Sequence, residues 1–569
     1  VQSIADNSQD ASSRQPSQAS VDALFSKPTL ICGFAVSFVF ACLLCFWHAM
    51  DSRQPSMDEA GHILCAFAYA DLFSHPHVLK GSWWHSLLLV NNFYPPAVYA
   101  FNGLLKMVIG PEHFVDWISL AIYDFVLTLS LFATTMILTG RRFAAVVAAC
   151  TVNFYTGMVA LSHTFLLDFQ VAAMISLGLF CLTWWRQKPN WKKTVICGLS
   201  LALVLASKQI AGAFLAGAGI YYFLGYLTKK PPGWKLYLGQ LVVMALIAIL
   251  AMVPWAVASY GFISEFAETN KKVIASTVGA ITVPQALQRG LRYYTFQMPN
   301  TLTPLLLMVA IVSMAFSGLK THLKLLPVLL SAVFGVVLIS LLPWQYPQVR
   351  YSLGALTAPA VYTGAFLAQA WDAKFKWLPW LPKLLVGLVL ALAVLQYLSF
   401  CFFPFPFEKP AFMVDFSNLM GVRTNKIGLD VAGKATPDPY QDWGQKWVLE
   451  VIGKRDPNQP VWLNVMANHV EFNPHTFTLQ GKYMGSKVKP TSSRTWTVLG
   501  DIVSFSKEST LYYQWYLIKT GYVGLRLLNE ESKIANENIL KSVRESGKFE
   551  LIGRRKVPDG SEIFLYRQK

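Results

Sequence analysis

The chain has 569 residues, 54% of them hydrophobic and only 14% charged, a balance outside that of ordinary soluble domains. Its net charge of +17 does not signal nucleic acid, because the basic residues fall in short clusters between apolar runs rather than along one stripe. What remains is a polytopic membrane protein. The eight cysteines all lie in or beside apolar segments, and they indicate neither a disulfide framework nor a metal or redox site.

Residues 1–28 open with VQSIADNSQDASSRQPSQAS, rich in Ser, Gln and Asp, and are expected to form a disordered cytoplasmic tail. No charged segment leads directly into an apolar core there, so the first apolar run, Thr29 to Ala49, is expected to stay as a span. Runs long enough to cross a bilayer, roughly 17 to 25 residues, recur from about Phe114 to about Phe403. They number about eleven if the pair either side of Lys208 counts as two. Arg141-Arg142, the Arg186–Lys193 cluster, Lys229-Lys230, Lys320 with Lys324, and Lys374 with Lys376 fall in every second loop. The positive-inside rule makes those loops cytoplasmic and puts Asp58, Asp168, Lys208, Arg350 and everything after Phe403 on the opposite face.

Between the first two spans, residues 51–113 are too long for a turn and too aromatic for a solvated loop. AGHILCAFAYADLF and SWWHSLLLVNNFYPPAVYAFNGLLKMVIG read as interfacial amphipathic helices, the second broken at Tyr94-Pro95-Pro96. A second external segment, Ser259 to about Asn300, breaks the apolar pattern with Glu265, Glu268, Lys271, Lys272, Arg289 and Arg292. It reads as a solvated amphipathic helix or as a substrate contact. From 404 to 569 no span occurs. Helical stretches at Gln445–Gly453 and Glu530–Ser546 alternate with PVWLNVM and DIVSF, and KFELIGRRKV and SEIFLYRQK flank the turn Pro558-Asp559-Gly560. A non-cytoplasmic soluble α/β domain of ordinary size is expected, with no nucleotide or metal motif and no catalytic role assigned.

The chemistry is expected around DSRQPSMDEAGH, where Asp58 and Glu59 follow the first span. Asp58 reads as a catalytic carboxylate, or as the cap of a helix beginning at Glu59. Asp168 in SHTFLLDFQ, Lys208 in LASKQIAG and Arg350 in WQYPQVRY complete a set suited to an anionic substrate. Carboxylates can act as a general base or orient one, while Lys and Arg neutralise phosphate. Each also has a bland reading: Lys208 snorkels, Arg350 pairs with an acid, Asp168 caps a helix. Six of the ten histidines, from His48 at the end of the first span to His113, come before the second span. Glu59 and His62, at i, i+3 spacing, are the candidate ligands should a divalent metal bind.

MDEAGH, FYPPAVYAF, HTFLLDFQVAA, LALVLASKQIAG and QVRYSLGALTAP, in that order, resemble the GT-C fold glycosyltransferases. The likeness is to the protein O-mannosyltransferase group and the bacterial lipid A aminoarabinose transferases, and it covers about 29–403. The tail VPDGSEIFLYRQK is similar to the ends of related bacterial proteins. The resemblance implies inverting transfer of a sugar from a polyprenyl-phosphate donor to a lipid, glycan or protein acceptor at the non-cytoplasmic face. The host would be the inner or plasma membrane, in cell-envelope glycosylation. Asp58 matches the family's catalytic acid and Asp168 its second acid. Lys208 and Arg350 match basic positions near the lipid phosphate, with Glu59, His62, Tyr94, His163 and Tyr351 as further substrate-binding candidates. Tyr94 stands where relatives carry His or Lys, and Ser-Leu-Gly follows Arg350-Tyr351 where many carry proline. The rival readings are a lipid-linked-sugar flippase and a non-catalytic polyprenyl-lipid-binding protein. Internal repeats would favour transport, and the sequence has none.

Overall fold

The computed structural model describes residues 24–278, 281–343, 347–373, 378–402, 437, 439–457, 460–492, 513–523 and 529–569. Most of the expected tail and the DIVSF run lie outside the described residues. In chain order the helices are α1 (Lys27–Met50), α2 (Met57–Ser74), α3 (Gly81–Leu89), α4 (Ala97–Ile109), α5 (Phe114–Thr139), α6 (Arg142–Phe154), α7 (Thr156–Ser162), α8 (Leu167–Gln187), α9 (Trp191–Leu205), α10 (Ala211–Lys229), α11 (Trp234–Val278), α12 (Val283–Leu302), α13 (Pro304–Phe316) and α14 (Leu319–Ser340). A 3-10 turn at Val349–Leu356 leads into α15 (Thr357–Asp372) and α16 (Leu381–Cys401). Then follow α17 (Gln445–Arg455), β1 (Val461–Val465), α18 (Pro474–Tyr483), β2 (Val488–Thr491), β3 (Trp515–Lys519), α19 (Asn529–Glu545), β4 (Phe549–Lys556) and β5 (Glu562–Gln568).

Among the described residues seven helices are long and apolar enough to cross a membrane, or nine if each bent pair is one span. The bent pairs are α6 with α7, at 66°, and α12 with α13, at 113°. The second bend is local chemistry: Thr303 takes a positive φ of 70° and Pro304 opens α13. The expected eleven is not reached among the described residues: α4, α9 and α15, at 13, 15 and 16 residues, are short for a bilayer. The segment Ser259 to Asn300 is helical up to Val278, where α11 ends, and again from Val283, where α12 starts. Pro254 sits inside α11 without ending it.

The described residues form two compact units. The first comprises those within 1–48, 78–98 and 117–436. Its helices approach closely where side chains are small: Gly217 of α10 lies against the Leu330 carbonyl of α14, and Gly364 of α15 against Ala144 and Ala148 of α6. The second unit comprises 49–77, 99–116 and the described part of 437–569. Its sheet has the order β2-β1-β3-β5-β4, with β2, β1 and β3 parallel and β5 and β4 antiparallel. Alternate residues of β3 serve opposite faces. Trp515 and Leu517 join a core with Val448 and Ile452 of α17, and Tyr516 and Ile518 join one with Ile539 and Val543 of α19. An α/β domain with helices on both sheet faces results, as the alternating pattern predicts. The β4–β5 hairpin turns through Pro558, Asp559 and Gly560, whose φ is +80°.

Candidate functional site

In the first unit the site is built where helices end. Asp168 lies in the first turn of α8, where free backbone amides and the helix dipole favour a carboxylate. Lys208 sits in the unwound link between α9 and α10. Ser207 Oγ donates to the Val204 carbonyl at 2.6 Å there, a local bond that competes with helix continuation. The same link is tied to the segment preceding α4: Ala97 N–H donates to the Ala206 carbonyl at 3.0 Å, and Gln209 Nε2 to the Phe93 carbonyl at 3.0 Å. This places Tyr94, directly ahead of Pro95-Pro96, beside Lys208. Arg350 enters from the 3-10 turn.

These side chains meet. Lys208 Nζ donates to Asp168 Oδ1 at 2.6 Å, and Arg350 Nε lies 3.7 Å from Asp168 Oδ2 while donating to Gln348 Oε1 at 2.6 Å. The Lys208 ammonium lies 5.3 Å from the Tyr94 ring and 4.9 Å from the Tyr351 ring, within cation–π range. Side-chain exposure is 3% for Asp168, 5% for Lys208 and 13% for Arg350. Among the described residues, two cations therefore share one carboxylate in a dry setting, and the balance is positive. Such a group receives an anion with low reorganisation cost. His163 is set in its own buried place. It stacks on Trp47 with centroids 3.6 Å apart and lines a cavity of about 10 Å³, room for about one water, with Asp124, Asn153 and Tyr397.

The second unit holds Asp58, Glu59 and His62 on α2. The helix begins at Met57, so Asp58 is not its cap as the sequence allowed. Ser56 holds that position, and its N–H donates to Glu59 Oε2 at 3.0 Å, the reciprocal half of a capping box. Glu59 is thereby buried and Asp58 left exposed in the first turn. His62 Nδ1 lies 2.8 Å from the Tyr99 hydroxyl. Among the described residues no three His, Cys, Asp or Glu side chains gather as a metal would need.

Sequence reasoning missed two features of this unit. Asp116, nearly fully buried, accepts from Asn102 Nδ2 (2.8 Å), Lys106 Nζ (3.0 Å) and the Tyr483 hydroxyl (3.0 Å), with His113 Nδ1 at 3.3 Å. An acid and a lysine inside apolar helices were a readable signal; the tyrosine 367 residues away was not. The other is His475 of α18. Met57 N–H donates to the Val470 carbonyl at 2.8 Å, and His475 Nδ1 lies 3.4 Å from where a Cβ on Gly61 would stand. Burial holds the His475 imidazole below its ordinary pKa, while the Asp58 charge and a bond to the Met57 backbone act the other way. The sheet-bearing domain thus supplies a histidine beside Asp58.

Residues 114–270 match the family model described as dolichyl-phosphate-mannose-protein mannosyltransferase. Similar solved structures include ArnT from Cupriavidus metallidurans in the apo state, with 12% identity, a TM-score of 0.52 and coverage of 94% of this chain and 98% of that one. The same protein bound to undecaprenyl phosphate gives a TM-score of 0.51 at 12% identity and the same coverage. The Archaeoglobus fulgidus oligosaccharyltransferase tethered with an acceptor peptide containing the NVT sequon gives 0.50 at 13% identity, covering 96% of this chain and 74% of that one. No curated protein matched the sequence at a significant level. Likeness at such identity speaks for architecture, and with the helical count and the family match it leads to one conclusion: the chain is a multi-span membrane protein with the GT-C glycosyltransferase fold.

Proposed function

We propose that this chain is an inverting glycosyltransferase that moves a sugar from a polyprenyl-phosphate donor to a lipid, glycan or protein acceptor at the extracytoplasmic face of the cell membrane. The observation that carries the reading is the buried trio in which Lys208 and Arg350 share Asp168. Their surplus positive charge suits a lipid phosphate that gains charge as it departs. The ArnT structure bound to undecaprenyl phosphate and the family's dolichyl-phosphate description support a donor of this class.

In the reaction the acceptor oxygen attacks the anomeric carbon as the bond from that carbon to the phosphate oxygen breaks. The electron pair leaves with the polyprenyl phosphate, and the acceptor proton passes to Asp58. Asp168 orients the two cations, Lys208 and Arg350 stabilise the leaving group, and Tyr94 and Tyr351 flank the ammonium. Glu59 fixes the turn that carries Asp58, and His62 and His163 remain substrate-contact candidates. The test uses purified protein in phospholipid nanodiscs with a panel of radiolabelled polyprenyl-phosphate sugars and a membrane extract as acceptor. Label leaving the carrier for a new product is the expected result; label that stays on every carrier overturns the reading.

A further inference from the structure

The sheet-bearing domain has an open cleft of about 570 Å³, within the size range of small-ligand sites. The segment before α17 gives it Tyr440 and Asp442, α17 gives Lys446, Trp447 and Glu450, and β4 gives Arg555. We propose that this cleft binds a neutral saccharide, such as the glycan part of an acceptor.

Its chemistry selects that class. Two acids, Asp442 and Glu450, balance two bases, Lys446 and Arg555, so the lining favours neither an anion nor a cation. It offers a dense set of donors and acceptors for hydroxyl groups, beside the apolar surfaces of an indole and a phenol. The polar groups are held in place: Arg555 Nη2 bonds Asp442 Oδ2 at 2.6 Å, the Gly444 amide donates to Asp442 Oδ1 at 2.8 Å, and Gln54 Nε2 donates to the Tyr440 hydroxyl at 3.3 Å. Room for the indole is built in, because a Cβ at Gly553 of β4 would stand 2.9 Å from the Trp447 ring. Tyr440 is half exposed, so its ring has surface to offer a ligand. The site lies wholly among residues of the second unit; saccharide binding does not need the transfer reading, and only the naming of that saccharide as part of an acceptor rests on it.

Saturation-transfer NMR on the full chain tests it, in phospholipid nanodiscs because sugar-headed detergents would compete. The probes are maltose, cellobiose and mannobiose, with glucose 6-phosphate and a neutral tetrapeptide as comparison arms. Saturation of the disaccharides, with affinity falling about tenfold in Tyr440→Ala, is the expected result. Trp447→Phe, which keeps a ring against β4, should weaken binding less and guards against misfolding as the cause. Binding of only glucose 6-phosphate or only the peptide overturns the proposal. So does disaccharide binding untouched by both substitutions, and so does no binding at all.

Discussion

Replacing Lys208 with methionine isolates the cation held closest to Asp168. In the folded chain its ammonium lies 2.6 Å from Asp168 Oδ1 and its side chain is 5% exposed, so solvent screens the interaction little. Methionine keeps the length and removes the charge. The group then consists of Asp168 and Arg350, 3.7 Å apart, and its surplus positive charge falls from one to none. One charge-assisted hydrogen bond to an anion is worth about 1.5–3 kcal/mol, so affinity for a polyprenyl phosphate should fall roughly 10- to 150-fold. The fold should lose less than the ~3–5 kcal/mol of a fully broken buried pair, because Arg350 still faces the carboxylate. Asp168→Asn should do the reverse, destabilising the protein by leaving two cations side by side while retaining phosphate affinity. Native mass spectrometry of the nanodisc-embedded protein, titrated with polyprenyl phosphate, reads the affinities, and thermal unfolding reads the folds. A stably folded Lys208→Met protein that binds polyprenyl phosphate as tightly as wild type would refute the reasoning.

Three further outcomes follow from named contacts. Tyr483→Phe removes one of the hydrogen bonds to the buried Asp116 carboxylate and should cost about 1.5–3 kcal/mol, seen as a lowered unfolding temperature; an unchanged temperature would show the bond is idle. Because the folded state binds a proton at His475 less readily than the unfolded chain does, stability is unaffected well above about pH 6.5 and falls as pH drops below it, by at most about 1.4 kcal/mol per unit. Hydrogen exchange of α18 amides, corrected for intrinsic rates, should show this loss in wild type and less of it in His475→Gln; equal losses would contradict it. Gly217→Val puts two methyl groups where the Leu330 carbonyl already stands, so detergent-solubilised protein should unfold at a markedly lower temperature, whereas Gly219→Ala, with nothing within 4 Å, should not.

Much of the fold was written in the order of residues. Apolar runs gave the spanning helices, the polar Ser207-Lys208-Gln209 inside one such stretch marked the unwound link, and Pro558-Asp559-Gly560 marked the final turn. The span count was less legible, since apolar runs alone show neither the break at Thr303-Pro304 nor where α9 and α15 stop. Asp168, Lys208 and Arg350 were identifiable because charges in apolar segments need a reason, and in the first unit Lys208 and Arg350 both face the Asp168 carboxylate. The cap of α2 was misplaced by two residues. Ser56 and Glu59 form a pairing in which the acid at the third helical position matters as much as the cap, and reading Asp58 alone overlooked it. His475 was invisible for a different reason: nothing in NPHTF tells that its ring will lie beside a helix some four hundred positions earlier.

The most direct measurement compares Asp58→Asn with wild type for both polyprenyl-phosphate binding and sugar transfer in the same nanodisc preparation. Loss of a general base slows a reaction by about 100-fold or more, so transfer should nearly vanish while carrier affinity stays at the wild-type value. A variant that still glycosylates at the normal rate, or one that loses carrier binding together with transfer, would contradict the assignment of Asp58 as the base.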